Sequence, residues 1–274
     1  MFKYIGIRGH RGAGKNTIGF LLGAAIEYYV KNHSWEGFYP VYKNAVDTII
    51  EQGSNGQIPD NDYTHVYLES FADTAKITLS QIIGIPSEWM YDDWNRDATI
   101  IKLDDFTYWK ASDKLSLAAK KERLGNQLFT AASLYNFVTS TNPVQTASQV
   151  YITLRELIIY YSKYVMQTYF GPNIWVKSLQ NNEWDNERFF ASKKTIYKIY
   201  VDCKFPSEIS YIYKNNGKII KVTRTNNVKN TTDISGQLDS DNRYDFELSL
   251  DGNLLNEDII EMIKSITAKI VSND

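Results

Sequence analysis

Residues 6–17, "GIRGHRGAGKNT", decide how the rest of this chain is read. Gly9, Gly14 and Lys15 satisfy the pattern G-x-x-x-x-G-K. In that pattern small residues let backbone N–H groups point inward at an anion, and the lysine adds a mobile positive charge. The next position, where a magnesium-ligating hydroxyl is expected, holds Asn16, and a hydroxyl appears one residue later at Thr17. Working outward, "FKYIGIR" (2–8) has the character of a short buried strand running into the loop. After the lysine, Ile18, Leu21, Leu22, Ala25 and Ile26 recur at helical spacing and should line one side of a helix. Strand, glycine loop, helix is the context that separates a phosphate site from a chance glycine turn.

The loop residues Arg11, Gly12, Ala13, Gly14, Lys15, Asn16 and Thr17 are therefore expected to bind a nucleotide, with ATP as the natural donor. Mg²⁺ keeps most of its waters and takes few protein ligands. Either the Asn16 amide oxygen or the Thr17 hydroxyl can complete its shell, directly or through water. Lys15 would reach the β- and γ-phosphates.

A chain of 274 residues has ample material for a large α/β core. The formal net charge of −2 gives no global electrostatic case for nucleic acid or an anionic membrane as partner. One cysteine, Cys203, excludes an internal disulfide framework and a cysteine-rich metal site. The sequence has neither a charged leader ahead of an apolar stretch nor the ~20 apolar residues that span a bilayer. The expectation is a soluble, cytoplasmic protein. The twenty tyrosines and the many Asn, Ile and Lys residues look like coding bias.

Further along, 34–65 is polar and turn-rich, with "EQGSNGQIPDND" the most loop-like stretch. A strand is expected at "HVYLESF" and a helix over 72–83 that stops at "GIP". Residues 84–149 offer an aromatic, acidic segment, a basic helical segment around "LAAKKERLGNQLF" and a Ser/Thr/Asn-rich turn. The periodicity predicts a long helix over 149–170 and a short one over 175–179. The C-terminal part alternates: strand "TIYKIYVD", helix 207–216, strand "KIIKVTR", a polar loop, strand "YDFELSL" and a helix over 256–270. Such alternation favours a central parallel sheet with helices on both faces. There is no internal repeat.

Eight segments in order, "GHRGAGKNT", "FADTAK", "WNRDA", "TLRELI", "FGPNIWVKSL", "VDCKFPSE", "GKIIKVTR" and "YDFELSLDG", resemble the deoxynucleoside monophosphate kinases of tailed bacteriophages. A spacing of G-K-x-T is also similar to that of several nucleoside monophosphate kinases. The resemblance covers roughly 1–30, 66–98 and 150–274. Residues 35–65 and 99–149 look like insertions forming acceptor-binding and peripheral regions of a single domain over 1–274. The resemblance implies a P-loop kinase fold, ATP and Mg²⁺ as cofactors, and transfer of the γ-phosphoryl group to a deoxynucleoside 5′-monophosphate. It also implies a cytoplasmic site of action, that of the infected host cell if the chain is phage-encoded. Small-molecule nucleotides would be the partners, with a homodimer left open.

The individual residues have their own chemistry beside that implication. A monophosphate acceptor carries nearly two negative charges, so its pocket should hold more than one arginine. Arg96 in "WNRDA" and Arg155 in "TLRELI" stand at family arginine positions; the plainer reading of each is a surface ion pair. Asp202 ends a hydrophobic strand, where a carboxylate can hold hydrated Mg²⁺, orient the acceptor, or simply cap the next helix. Lys204 lies where relatives more often have arginine, which keeps the charge and loses the bidentate fork. Glu208 could recognise the acceptor or be a solvated first-turn glutamate. Asp73 and Lys76 sit at (i, i+3), so Lys76 reaches the acceptor or pairs with Asp73. Trp175 could stack on a base or fill a core, and Arg224 could stack on adenine or support the loop after it. That loop, 225–240, has the composition of a lid with Lys229 as its cation, and lacks the histidine often seen in relatives. His10 can line the phosphate loop; His33 and His65 have no catalytic spacing.

Two other readings compete with the kinase expectation. One is a P-loop kinase of another acceptor, such as a coenzyme precursor or a modified base in DNA. The other is a nucleotide-binding regulator with weak transfer activity, suggested by Asn16, Lys204 and the missing histidine.

Overall fold

The computed structural model describes residues 1–10, 12–52, 62–140, 150–189, 195–224, 243–250 and 253–272, with the backbone alone for 182–189. Arg11, most of "EQGSNGQIPDND", the Ser/Thr/Asn-rich turn beyond Ser140 and the loop 225–240 lie outside the described residues. The chain opens with β1 (Phe2–Arg8), α1 (Lys15–Asn32), α2 (Phe38–Gln52) and β2 (Val66–Glu69). Next come α3 (Asp73–Ile83), α4 (Asp93–Ala98), β3 (Thr99–Lys102), β4 (Tyr108–Lys110), α5 (Lys114–Leu124), β5 (Leu128–Phe129) and α6 (Ala131–Ser140). They are followed by β6 (Tyr151–Thr153), α7 (Leu154–Ile159), α8 (Thr168–Phe170) and α9 (Ile174–Phe189). The last are β7 (Ile196–Tyr200), α10 (Pro206–Lys214), β8 (Lys218–Thr223), β9 (Phe246–Ser249) and α11 (Glu257–Val271). Two compact units result: Met1–Phe71 with Leu179–Asp274, and Ala72–Ser178.

The first unit is an α/β layer structure around a five-stranded, all-parallel sheet of order β2-β7-β1-β8-β9. Its central strands β1 and β7 are largely apolar because both faces are covered, whereas the edge strand β9 exposes Glu247 and Ser249. Ile5 and Ile7 pack on the side of α1, where Gly19 lies against Ile7, Leu68 and Val201. Gly6 and Tyr4 face α10, with Gly6 against Ile212 and the Tyr4 ring edge-on to Tyr211. α1 is buried all round from Ile18 to Glu27, not on one side as expected, because α2 and α11 cover what the sheet does not. The segment expected to be turn-rich contains α2. Phe38, Tyr42, Ala45 and Val46 form a helical stripe against α1, and Pro40 falls in the first turn, where its missing N–H costs nothing. Tyr42 fixes the helix further by donating its hydroxyl to the Leu254 carbonyl at 2.8 Å.

A buried carboxylate ties α1 to the start of β2. Glu27 accepts hydrogen bonds from the backbone N–H groups of Thr64 and His65, from the Thr64 hydroxyl, and from Lys31 at 2.8 Å. Burial by itself would raise its pKa, but these donors outweigh it and hold the carboxyl at about 2 instead of 4.5. The stability it supplies is complete above pH 4.5 and is lost as pH falls through about 2. Denaturant unfolding across that window should show a steeper acid loss for the native protein than for Glu27→Gln. Parallel curves would mean the carboxylate contributes nothing in its charged form.

The second unit holds a mixed sheet of order β4-β3-β6-β5, in which only β5 and β6 run parallel. Its core gathers Leu79, Ile83, Met90, Ile101, Leu134, Ile152, Leu154 and Leu157. The predicted helix 149–170 begins with the strand β6 instead, and Thr153 caps α7 by accepting from the Glu156 N–H. From Tyr160 to Gln167 the helix is π-wound before α8. The helix expected over 175–179 is the first part of the longer α9. Among the described residues, no helix is long and apolar enough to cross a membrane.

Candidate functional site

The parallel strands of the first unit all end at one edge of the sheet. In the order β2-β7-β1-β8-β9 the chain leaves β1 toward β2 on one side and leaves its neighbour β7 toward β8 on the other, so the connections diverge between β1 and β7. Open α/β sheets bind ligands outside the carboxyl ends of the strands at such a divergence. The glycine loop stands there. Gly9 has φ +156°, and a Cβ on it would come 2.4 Å from the Val222 carbonyl oxygen. Gly14, at φ +90°, leads into α1, and a Cβ there would meet Leu250 at 2.5 Å. Only glycine fits either position without a shift.

α1 starts without a side-chain cap and without an acidic residue in its first turn. The positive end of its dipole therefore has no acidic side chain in its own first turn to offset it. Lys15 folds back over the loop, its ammonium donating to the Gly9 and His10 carbonyls at 2.9 Å each. The loop thereby holds its own cation in place. His10 serves through its backbone, since its carbonyl also accepts from the Ala13 N–H. Asn16 and Thr17 are both half-buried in the first turn.

Asp202 follows β7 at the same edge. Its carboxylate accepts from the Ser70 hydroxyl at 2.6 Å and from the Phe71 N–H at 3.0 Å, both just beyond β2. It does not cap α10. That role belongs to Glu208, whose Oε2 accepts from the backbone N–H groups of Lys204 and Phe205 at 2.7 and 2.9 Å. Glu208 is buried, which excludes the solvated one of its two sequence readings. Burial, with the Asp202 charge nearby, pushes its carboxyl well above the usual range, although the two N–H groups pull the other way. Lys204 is half-buried in the turn between Asp202 and α10. Arg224, exposed at the end of β8, donates to the Leu250 carbonyl at 3.4 Å, so it braces the sheet edge beside Gly14.

These residues would suit a magnesium ion carried in with nucleotide phosphates. The Ser70 and Phe71 donors orient the Asp202 carboxylate, and Asn16 or Thr17, in the first turn of α1, would offer a further oxygen. Among the described residues no three His, Cys, Asp or Glu side chains gather as a metal cage. Mg²⁺ does not require one when phosphates and water complete its shell.

In the second unit the structure brings two predicted residues together. Arg155, on α7, grips Asp97 with Nε and Nη2 and reaches Asp93 Oδ1 with Nη2 at 2.7 Å. Arg96, on α4, donates to the same Asp93 oxygen. The two guanidinium groups therefore converge on one carboxylate. Burial opposes the Arg155 charge, yet Asp97 and Asp93 outweigh it and raise its pKa further. On α3, Lys76 approaches Asp73 at 3.7 Å and lies over the Tyr91 ring at 4.4 Å. Trp175 is only 5% exposed, with the Tyr161 ring 6.4 Å away, which makes it a core side chain.

Sequence reasoning named the arginines and missed their carboxylates. Asp93 stands three residues before Arg96 on a helix, which is a readable signal; its meeting with Arg155 has none. Ser70 and the Phe71 N–H were missed too, because a strand-end serine is ordinary in sequence. The chain matches no protein-family model, and no curated protein is similar to it at a significant level.

Proposed function

We propose that the protein is a kinase that transfers the γ-phosphoryl group of ATP to a deoxynucleoside 5′-monophosphate. The observation that carries this reading is the glycine loop at the carboxyl edge of a parallel sheet, with Lys15 pinned over it and α1 starting directly behind it. Such a loop holds the donor phosphates through backbone N–H groups, the helix N-terminus and the ammonium. Arg96 and Arg155 are assigned to the acceptor, whose dianionic phosphate suits two convergent guanidinium groups.

In the reaction an oxygen of the acceptor phosphate bonds to the γ-phosphorus while the bridge to the β-phosphate breaks, giving ADP and the diphosphate. Little covalent help is needed from protein; alignment and charge stabilisation do most of it. Mg²⁺ would neutralise charge on the donor phosphates, held by Asp202 with Asn16 or Thr17. Lys15 supplies positive charge where the phosphoryl oxygens gain negative charge.

Thr17→Ala should weaken magnesium-dependent ATP binding more than Asn16→Ser, which restores the usual loop ending. Calorimetry with and without Mg²⁺ reads the difference, and the reverse order would make Asn16 the ligand. A panel of deoxynucleoside monophosphates with ATP and Mg²⁺, read for diphosphate formation, tests the acceptor class and finds the preferred base. Transfer to none of them, with ATP still bound, would favour another acceptor.

A further inference from the structure

The cluster around Asp93 holds more than a pair of arginines awaiting an anion. One anion is already there. Asp93 Oδ1 accepts from Nη2 of Arg155 at 2.7 Å and from Nη2 of Arg96. The Asp93 side chain is 57% exposed, whereas those of Arg96 and Arg155 are 18% and 17% exposed. The carboxylate thus stands on the solvent side of both guanidinium groups. Asp97 is placed differently. It takes Nε and Nη2 of Arg155 with its two oxygens, the two-point fork that fixes a guanidinium plane.

From this difference we infer that Asp93 is an internal occupant of the phosphate seat, and that the acceptor binds by exchanging with it. The inference rests on the assignment of Arg96 and Arg155 to the acceptor. Two arginines and two aspartates cancel in charge, so a dianion approaching the intact cluster gains little attraction and meets a like charge at the entrance. Once Asp93 turns out, two guanidinium edges and one net positive charge are exposed to the phosphate. Asp97 keeps Arg155 in orientation throughout. Such an exchange keeps the half-buried arginines paired in the empty protein, where an uncompensated charge is costly. It also sets a threshold: an anion weaker than a phosphate dianion, such as a carboxylate or a monoanionic phosphodiester, exchanges like for like and gains nothing. Asp93 is therefore a specificity-determining residue, and its neighbour Asp97 a positioning residue. The cap of α4 does not depend on Asp93, because Asp92 accepts from the Asn95 N–H.

The two aspartates should respond to the same substitution with opposite signs. Asp93→Asn keeps the shape and removes the competing charge, so inorganic phosphate and a deoxynucleoside monophosphate should bind about tenfold more tightly, by calorimetry. Asp97→Asn loosens the Arg155 fork and should weaken both. In phosphate-free buffer Asp93→Asn should melt lower than the native protein, and added phosphate should raise its melting temperature more steeply. In the native protein the Asp93 side-chain carboxyl carbon resonance should shift as phosphate is titrated in, while that of Asp97 stays; this readout decides the matter even if the variant folds poorly. Weaker or unchanged phosphate binding in Asp93→Asn, or a silent Asp93 resonance, overturns the exchange. If Arg96→Ala and Arg155→Ala still weaken monophosphate binding in that case, the acceptor assignment stands. If they do not, the assignment itself has failed.

Discussion

Replacing Lys15 by alanine is expected to lower turnover about a hundredfold to a thousandfold, the loss typical of a preorganised donor removed from developing charge. The ammonium is held by the Gly9 and His10 carbonyls, so it is in place before nucleotide arrives. On the proposed mechanism, little reorganisation would then be needed as the phosphoryl oxygens gain charge. The side chain is only half-buried and belongs to no core cluster, so melting temperature should change little. Steady-state kinetics alongside thermal unfolding would check both halves of this result. Near-normal turnover in Lys15→Ala would remove the loop from the mechanism.

The second large effect concerns the acceptor. A charged hydrogen bond to phosphate contributes roughly 1.5–3 kcal/mol, so Arg155→Ala should raise the monophosphate KM about ten- to a hundredfold. ATP affinity should hardly move, because in the proposed mechanism the donor is assigned to the loop and Lys15. Arg155→Lys should recover only part of the loss. Its point charge cannot hold Asp97 through two nitrogens, as the guanidinium does, and still present a planar fork to a phosphate. Separate titrations of ATP and monophosphate would decide. Loss of ATP binding with the acceptor retained would reverse the assignment of Arg155.

What could be read from the sequence followed from how each element is buried. The strands β1, β7 and β8 are covered on two faces and therefore appear as continuous apolar runs, and the glycines of the loop mark the turn into α1. α2 escaped because exposed Tyr39 and Val41 break its stripe and Pro40 imitates a turn, although Pro is tolerated in a first turn. The second sheet escaped for a different reason. Its strands span two to four residues, too short for any period to show. β6 was absorbed into the helix that follows, since Val150, Ile152 and Leu154 suit either structure until Thr153 caps α7.

The candidate site divides in the same way. Local motifs announced Lys15, Asn16, Thr17 and Asp202. The carboxylates that govern Arg155 come from 58 and 62 residues away, and no local pattern encodes such a meeting. Glu208 was legible as a first-turn acid, yet only its burial and its two backbone partners identify it as the brace beneath Lys204 and Phe205.

Phosphoryl transfer from ATP to a deoxynucleoside monophosphate can be followed by incubating the protein with γ-labelled ATP, Mg²⁺ and each monophosphate, with Lys15→Ala as control. Label should pass to the deoxynucleoside diphosphate, depend on Mg²⁺ and be abolished or nearly so in Lys15→Ala. Label that stays in ATP, or appears only as inorganic phosphate with every acceptor, would rule out the proposed kinase activity.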